Sequence, residues 1–503
     1  MAGALATCIV AGRNRLGAPR KTREAENGYG VGPLASSSPS PEARVVLPEA
    51  AAPNPIRREL ATIARLATPL ALAQFGLTAI GLVDVAVLGH ASAAELGGAS
   101  IGRSINFASV AFGIGVAAAL EPLAAQAVGA GERDGAWRAF LGGLVGCALV
   151  WLPTSALAVG ATWLLEPLGI APDLVGPARA FLLPQLPGML AFSVFLAAKS
   201  FLQANGRARA PLAASVVANV VNLIVCNVLV RGDEALTAVG LPPIGFPRLG
   251  AFGAGVASSV AQVVLAAWVL VAAWRTRPRE AARAVGPIRA LPIAKVLRLG
   301  TPIGLQLLAE IGVFSLVAVL AGKLGTVAVA AHQIAIGLAS FTFMGALGIG
   351  GATAVRVGHA IGEGRSPRGA GLVGIGLGAG FMSASALLFL VARRPLVALF
   401  AEDPAVVELG ASLLVVASAF QLFDGIQGVA AGALRGAGDV RFAFAANVAA
   451  HWLVGLPLAL WLGLRAGLGA TGLWIGLLAG LTLVAVSLLG RFLVVAKGPL
   501  ARV

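Results

Sequence analysis

The chain has 503 residues, of which 58% are hydrophobic and 12% are charged, and its mean hydropathy is +0.89. A soluble chain carries about 25% charged residues, so this composition excludes an ordinary soluble enzyme and a disordered protein and indicates a polytopic membrane protein. The net charge is +15, but the basic residues lie mostly in short loops between apolar runs, which is typical of membrane topology and not of a nucleic-acid-binding surface.

Residues 1–56 differ in composition from the rest of the chain. They are rich in Ala, Gly, Pro, Ser and Arg and include the low-complexity run at 36–41. Such a segment cannot bury enough apolar surface to fold by itself, and it has no long apolar stretch of the kind found in a secretory signal. We predict a disordered N-terminal tail at 1–56, with an upstream start codon or an organelle transit peptide, and hence an organelle membrane, as the open alternatives.

Twelve apolar runs follow, and each is long enough to cross a bilayer, which takes about 20 mostly apolar residues. They lie at 61–88, 97–127, 139–165, 178–203, 210–231, 250–274, 296–321, 327–354, 370–392, 405–433, 441–463 and 468–494. Most are too long and uninterrupted for β-strands. The predicted fold class is therefore an all-α polytopic membrane protein with twelve transmembrane helices. The basic residues of the loops favour the side of the N-terminus, which predicts that both termini are cytoplasmic and that the protein lies in the cell inner membrane.

An internal repeat relates the two halves of the chain. The same offset of 233 residues pairs Arg65–Pro69 with Arg298–Pro302, Gly89 with Gly322, Gly115 with Gly348, and Gly129 with Gly362. An even number of spans separates the copies, so both halves enter the membrane in the same direction. We predict an N-lobe at 57–275 with helices 1–6, a basic cytoplasmic linker at 276–295, and a C-lobe at 296–503 with helices 7–12 and a short C-terminal tail. Transporters that rock two halves about a midplane site have such repeats.

Acidic residues inside spans are costly and usually functional. Glu310 lies about twelve residues into the seventh span, or roughly 18 Å at 1.5 Å per residue, and Asp424 lies well inside the tenth. Such buried carboxylates can bind H⁺ or Na⁺ and release it when the site opens to water, although a structural role remains the alternative. Asp84, near the outer end of the first span, could instead face water, and Asn222, in the fifth, could donate an oxygen or simply pack. Glu121 lies near the inner end of the second span and could reach the interface, so a structural role is favoured over a functional one.

The sequence shows no pattern typical of a metal site, a nucleotide-binding site or a disulfide framework. The four histidines form no metal-ligand pair, no phosphate-binding loop is present, and the three cysteines are too far apart for a disulfide framework or a zinc site. We therefore expect no cofactor and no enzymatic activity. His332 and Gln333 are polar groups in an apolar stretch, and His332 is either a titrating group or a packing histidine.

Several short stretches carry a resemblance to a known family. In the second half they are Ala330–Ile334, Val355–Gly358, Phe420–Gln427 and Gly432–Gly436; in the first half they are Val83–Asp84 with Gly89, Gln126 with Gly129–Gly131, and Leu202–Ala204 with Gly206. Over residues 57–495 the chain resembles the multidrug and toxic compound extrusion (MATE) family, in particular its NorM-like bacterial branch. This resemblance implies two six-helix lobes around a central cavity and export of amphipathic, mainly cationic small molecules by antiport with H⁺ or Na⁺ through alternating access.

The resemblance also implies roles for individual residues. Asp84 and Asn222 would form a cation-coupling site in the N-lobe, and Glu310 and Asp424 would form one in the C-lobe, where Na⁺ is a possible ligand. Candidate substrate-cavity residues are Gln333, His332 and Phe420. The expected partners are organic cations or other amphipathic drugs and membrane lipid, with no nucleic acid, and we expect a monomer.

Two departures from the family pattern bear on the coupling ion. Phe420 stands where NorM-like pumps often have tyrosine, and Cys226 stands where they often have Asn or Asp. The loss of two oxygen donors favours H⁺ over Na⁺, because a proton needs only a carboxylate.

Three other functions compete with multidrug efflux. A lipid-linked oligosaccharide flippase of the same superfamily should hold arginines in its cavity to bind diphosphate. Only Arg103 and Lys199 are intramembrane cations in this reading, and Lys199 is expected to extend to the interface. A membrane enzyme would need a nucleophile–base pair, and a passive channel would not need two lobes with separate acids.

Overall fold

The computed structural model describes residues 55–238, 240–278, 290–498 and 500–503. Within them, twelve helices are long and apolar enough to cross a membrane, and no strand occurs. In chain order they are α1 Pro55–Gly89, α2 Ala93–Gly129, α3 Arg133–Trp163, α4 Pro172–Ala204, α5 Arg209–Arg231, α6 Gly250–Trp274, α7 Ile293–Lys323, α8 Thr326–Gly362, α9 Arg368–Val391, α10 Pro404–Ala437, α11 Val440–Arg465 and α12 Gly469–Val495. The prediction of an all-α fold with twelve spans is confirmed.

The helix bounds refine the predicted spans. The largest difference is at α8, which continues to Gly362 instead of ending near residue 354, and its last turns pack against α2 of the other lobe through Gly358 and Gly362. Two short helices, Asp233–Ala238 and Arg393–Ala398, lie in the loops after α5 and α9. The predicted tail at 1–56 and the predicted linker at 276–295 lie largely outside the described residues.

Three of the twelve helices are interrupted. Helix α2 breaks at Ala119, α4 passes through a 3₁₀ turn at Leu183–Gln185, and α11 contains π-helical turns at Ala449–Gly455 and Trp461–Arg465. Proline explains the irregularity in α4 and α11, since Pro184 and Pro457 each lack the N–H group that would continue the helical ladder. Turns of this kind are frequent at functional sites.

Glycine allows the two lobes to approach closely at mid-membrane depth. Gly115 of α2 packs on the backbone of α7, where a Cβ atom would lie 2.7 Å from the Cα of Gly304. In the repeat-related contact, a Cβ atom on Gly348 of α8 would lie 2.5 Å from the backbone nitrogen of Ala71 in α1. Real Cβ atoms do not come this near to backbone atoms, so both approaches require glycine.

Hydrogen bonds between the lobes cluster at the end of the bundle where α1 begins and α12 ends, which we call the terminal face. Gln126 Nε2 of α2 donates to the carbonyl oxygen of Gly436 in α10 at 2.9 Å, and His359 Nε2 of α8 lies 2.9 Å from the carbonyl oxygen of Ala204 in α4. The internal repeat relates these two contacts to each other, so each lobe bonds to the other in the same way.

Ion pairs add to the closure of the terminal face. Arg356 of α8 binds Glu59 of α1 through two nitrogens, at 2.7 and 2.9 Å, and Arg435 Nε of α10 lies 3.1 Å from Glu121 Oε2 of α2. Every polar contact between the lobes that the described residues make lies at this face. In the part of the chain that the structure describes, polar contacts therefore join the lobes at the terminal face and none joins them at the opposite face.

Candidate cation and substrate sites

A cavity of about 580 Å³ lies between the lobes. Its size is typical of a site for a drug-sized molecule, about 300–1,000 Å³. Most of its wall is apolar, and the apolar residues that line it include Phe107, Val110, Ile114, Met189, Phe192 and Leu196. Five charged side chains also line it: Asp84, Arg103, Glu121, Lys199 and Arg435.

Asp84 is the centre of a polar cluster in the N-lobe. Its side chain is only 2% exposed, so the alternative that it faces water is wrong. Asn222 Nδ2 of α5 donates to one carboxylate oxygen at 3.2 Å, and the hydroxyl of Ser258 in α6 donates to the other. Arg103 of α2 places Nη2 3.8 Å from the same carboxylate. The structure thus brings together the two residues that the resemblance assigned to the N-lobe and adds two more.

Glu310 and Asp424 lie in a second cluster, in the C-lobe. Asn447 Nδ2 of α11 donates to Glu310 Oε2 at 3.4 Å, and the charge of Glu310 acts on Asp424. His451 lies one turn along α11, with Nδ1 3.2 Å from the carbonyl oxygen of Asn447. Asn447 lies at the end of the α-helical part of α11 and His451 lies in the π-helical turn that follows, and both contact residues of α7. None of the four residues Glu310, Asp424, Asn447 and His451 lines the central cavity.

Both clusters contain buried polar atoms that lack a hydrogen-bond partner in the described part of the chain. They are Asn222 Oδ1 in the N-lobe, and Asn447 Oδ1 and His451 Nε2 in the C-lobe. A buried polar atom without a partner is costly, so each is a group that a transported ion and its water could satisfy. No group of three or more His, Cys, Asp and Glu side chains among the residues described could hold a metal ion.

The three candidate substrate residues lie away from the central cavity. His332 is buried, and its Nδ1 accepts a hydrogen bond from Trp474 Nε1 at 3.1 Å, which is the position of a packing histidine. Phe420 is buried with its ring 5.8 Å from that of Trp474, and Gln333 is exposed. None of the three lines the cavity, and their role in substrate binding stays a prediction.

Two expectations about charged residues need correction. Lys199 does not extend to the interface: it lines the cavity and donates to Gln74 Oε1 at 3.2 Å. Glu121 is not interfacial either, since it is 8% exposed and paired with Arg435 across the lobes. Both residues lie near the end of a helix, which suggested that they reach the membrane interface. In the structure the side chains of Lys199 and Glu121 instead line the cavity between the lobes, beneath the closed terminal face.

Sequence reasoning did not identify Ser258, Asn447 or His451 as site residues. Asn447 and His451 carried a usable signal, because two polar residues four apart in an apolar run share one helix face. Ser258 carried none, since it is one of many small residues in its helix.

Comparison with known proteins gives a consistent result. The sequence model of the MatE family matches twice, at residues 69–228 and 302–461, and the second match begins and ends 233 residues after the first. The predicted repeat is thereby confirmed. The chain is 35% identical to a probable multidrug resistance protein NorM of Bradyrhizobium diazoefficiens, over 88% of this chain and 95% of that protein.

Other relatives agree in length and fold. A probable multidrug resistance protein NorM of Deinococcus radiodurans is 38% identical, over 86% of this chain and 95% of that protein. The multidrug resistance protein PmpM of Pseudomonas aeruginosa is 32% identical, over 81% of this chain and 85% of that protein. The solved eukaryotic MATE transporter AtDTX14 has the same fold, with a TM-score of 0.77 at 21% identity over 87% of this chain and 96% of that chain.

Proposed function

This chain belongs to the MatE family, and from that premise we propose that it is a multidrug efflux transporter that exports amphipathic small molecules, organic cations among them, by antiport with H⁺ or Na⁺. The family is one of transporters and not of enzymes. The match to the first multidrug relative covers 88% of this chain and 95% of that protein.

The observation that carries the coupling proposal is the pair of buried carboxylate clusters, one in each lobe. Asp84 is held by Asn222 and Ser258, whereas Glu310 lies beside Asp424 and Asn447. Moving a charge along the membrane potential supplies about 2.3 kcal/mol per 100 mV. A cation that neutralises one cluster changes which arrangement of the lobes is favoured, and its release into the other compartment resets the pump.

The donor sets favour H⁺ as the coupling ion. Cys226 lies beside Asp84, so a thiol stands where an oxygen donor would help to hold Na⁺. Phe420, in the C-lobe, has no hydroxyl. A hard cation such as Na⁺ needs several oxygen ligands, whereas a proton needs one carboxylate of suitable pKa.

We also propose the orientation and setting of the molecule. The excess of basic residues in the loops on the side of the N-terminus favours a cytoplasmic terminal face, and with that orientation the arrangement described here is closed to the cytoplasm. The protein would work as a monomer in the cell inner membrane, since each chain already contains both lobes and the cavity between them.

One observation bears on the flippase alternative. Three cations line the cavity, Arg103, Lys199 and Arg435, which is more than the sequence suggested. Two of them are paired with acids of the same cavity. The remaining single positive charge is too little for a diphosphate, so multidrug efflux is the better-supported function.

Efflux from proteoliposomes tests the proposal. Vesicles loaded with ethidium would be given an H⁺ or a Na⁺ gradient in separate runs, with wild type beside Glu310→Gln and Asp424→Asn. We expect one gradient to drive export and both substitutions to abolish it. Glu408→Gln is the matched control, because Glu408 is exposed and pairs with Arg394 on the surface. Failure of both gradients with folded wild-type protein would refute antiport of organic cations.

A further inference from the structure

Residues 500–503, which follow α12, reach from one lobe to the other at the terminal face, and we call them the strap. Leu500 packs against the apolar cluster that is built largely from α8, α10 and α12 of the C-lobe. Val503 packs against the cluster that is built largely from α2, α3, α4 and α6 of the N-lobe. The chain just before the strap is fixed to the C-lobe, because the hydroxyl of Ser366 donates to the carbonyl oxygen of Ala496 at 3.4 Å. The strap thus starts on one lobe and ends on the other.

The far end of the strap is bound to Gln126 of α2. The backbone N–H of Val503 donates to Gln126 Oε1 at 2.8 Å, while Gln126 Nε2 donates to the carbonyl oxygen of Gly436 in α10 at 2.9 Å. Gln126 is only 2% exposed, so water has little access to its amide. Because the acceptor and the donor of an amide lie on its two different atoms, the bond from the strap fixes the orientation in which Gln126 reaches the other lobe.

The side chain of Val503 also contacts the C-lobe. It occupies the space in which a Cβ atom of Gly438 would lie, and Gly438, with a φ of +82°, ends α10 in the left-handed region that favours glycine. Arg502 adds an ion pair with the N-lobe, with Nη1 2.8 Å from Glu132 Oε1. Both partners of this pair are about half exposed, and exposed pairs contribute little. The attachment of the strap therefore depends mainly on Val503.

We propose that the strap is a conformational control of the transporter: it holds the terminal face closed and detaches from Gln126 each time that face opens. This inference rests on the proposed function, since only a transporter with alternating access opens this face. The three residue steps from Leu500 to Val503 span at most about 11 Å, so the strap cannot stay attached to both lobes when they move apart by more than this length allows. None of the strap residues lines the central cavity, so the strap controls opening without contacting the transported molecule there.

The rate of thiol labelling tests whether the strap controls opening. Ser200 lines the cavity and is buried, and a cysteine placed there, in a background without the native cysteines, would be labelled by an impermeant maleimide from the terminal face of sealed vesicles. Val503→Pro removes the N–H group that binds Gln126 and should raise the labelling rate by about twofold to tenfold, the range for the loss of one hydrogen bond. Val503→Asp also replaces the apolar contact by a charge and should raise the rate at least as much.

Two matched variants decide what the labelling means. Val503→Ile keeps both the N–H group and the apolar contact, so its labelling should remain slow. Ala501→Asp adds the same charge at an exposed residue of the strap and should leave the rate unchanged. Unchanged labelling in Val503→Pro and Val503→Asp, or an equal increase in Ala501→Asp, would overturn the proposed role of the strap.

A cross-link provides the converse test. Cysteines at Arg502 and Glu132, joined by a cleavable bifunctional thiol reagent, would keep the strap on the N-lobe. We expect the cross-link to stop export of ethidium from proteoliposomes and a reductant to restore it. The same cross-link between cysteines at Arg394 and Glu408, an exposed pair within the C-lobe, should leave export unchanged. Export that continues with the strap cross-linked would refute its detachment.

The proposed efflux function and the role of the strap fail differently. If the protein without any cross-link exports no ethidium under either ion gradient, the efflux function fails, whereas the labelling rates still report whether the strap controls opening. If ethidium is exported but the substitutions at Val503 do not change labelling, efflux stands and the role of the strap is refuted.

Discussion

The ion pair between Glu121 and Arg435 is expected to control how often the terminal face opens. Both side chains are mostly buried, at 10% and 21% exposure, and they join α2 of one lobe to α10 of the other. The substitution Glu121→Gln keeps the shape of the side chain but leaves Arg435 without its acid. It also leaves Arg435 and Lys199 as two cations of the same cavity with no acid between them.

The structure sets the size of the effect. Two unit charges about 4 Å apart attract by about 4 kcal/mol at an effective dielectric constant of 20, and the pair here is closer, at 3.1 Å. Desolvation offsets part of this attraction, so the net contribution should be that of a hydrogen bond between charged groups, about 1.5–3 kcal/mol. The closed arrangement should therefore lose about 10- to 100-fold in its population relative to the arrangement open at the terminal face.

Thiol accessibility measures this population. Ser200 lines the cavity beside Lys199 and is buried, so a cysteine placed there in a background without the native cysteines reports opening. An impermeant maleimide would be applied to each side of sealed vesicles. Glu121→Gln should raise the rate of labelling from the terminal face and lower it from the other side.

Two controls decide what the labelling means. The double variant with Arg435→Gln should show a smaller change, because no unpaired arginine remains at 435. Glu166→Gln breaks an exposed ion pair with Arg179 within one lobe and should have no effect. Unchanged labelling in Glu121→Gln, or an equal change in Glu166→Gln, would refute the idea that this pair holds the lobes closed.

Two further predictions concern other parts of the molecule. Gly348→Ala should destabilise the closed arrangement by about 1–3 kcal/mol, the range for overpacking, because the new Cβ would meet the backbone of Ala71; thermal unfolding should show a lower Tm than for Gly337→Ala, whose Cβ meets nothing within 4 Å. Desolvation raises the pKa of Asp233, but the three hydrogen bonds from the backbone N–H groups of 244–246 together outweigh it and hold that pKa below its usual value. The order of this loop should therefore persist from neutral pH to below the ordinary aspartate pKa, and it should be lost as the pH falls through the lowered pKa of Asp233. Asp233→Asn should make the loop more sensitive to proteolysis at neutral pH. An unchanged rate of proteolysis in this variant would contradict the prediction.

Hydropathy and repeats in the sequence were sufficient to predict the architecture. A backbone that crosses lipid must satisfy its hydrogen bonds internally, and a long apolar run does so by forming a helix. The gapless offset between Gly115 and Gly348 predicted two equivalent lobes, and both glycines lie at equivalent contacts between them. The acids Asp84, Glu310 and Asp424 could be identified because a charge in an apolar run is conspicuous.

The direction in which each side chain points was decided only by tertiary structure. Lipid and the bundle interior are both apolar, so hydropathy does not distinguish the face of α4 that carries Lys199 from a face that meets lipid. His332 proved to pack against Trp474, a residue 142 positions away, and Asn447 reaches Glu310 from a helix with π-helical turns. The positions of the charged groups along the chain were legible in the sequence, but their pairing depends on helix rotation and on the contact between the lobes, which only the packed molecule determines.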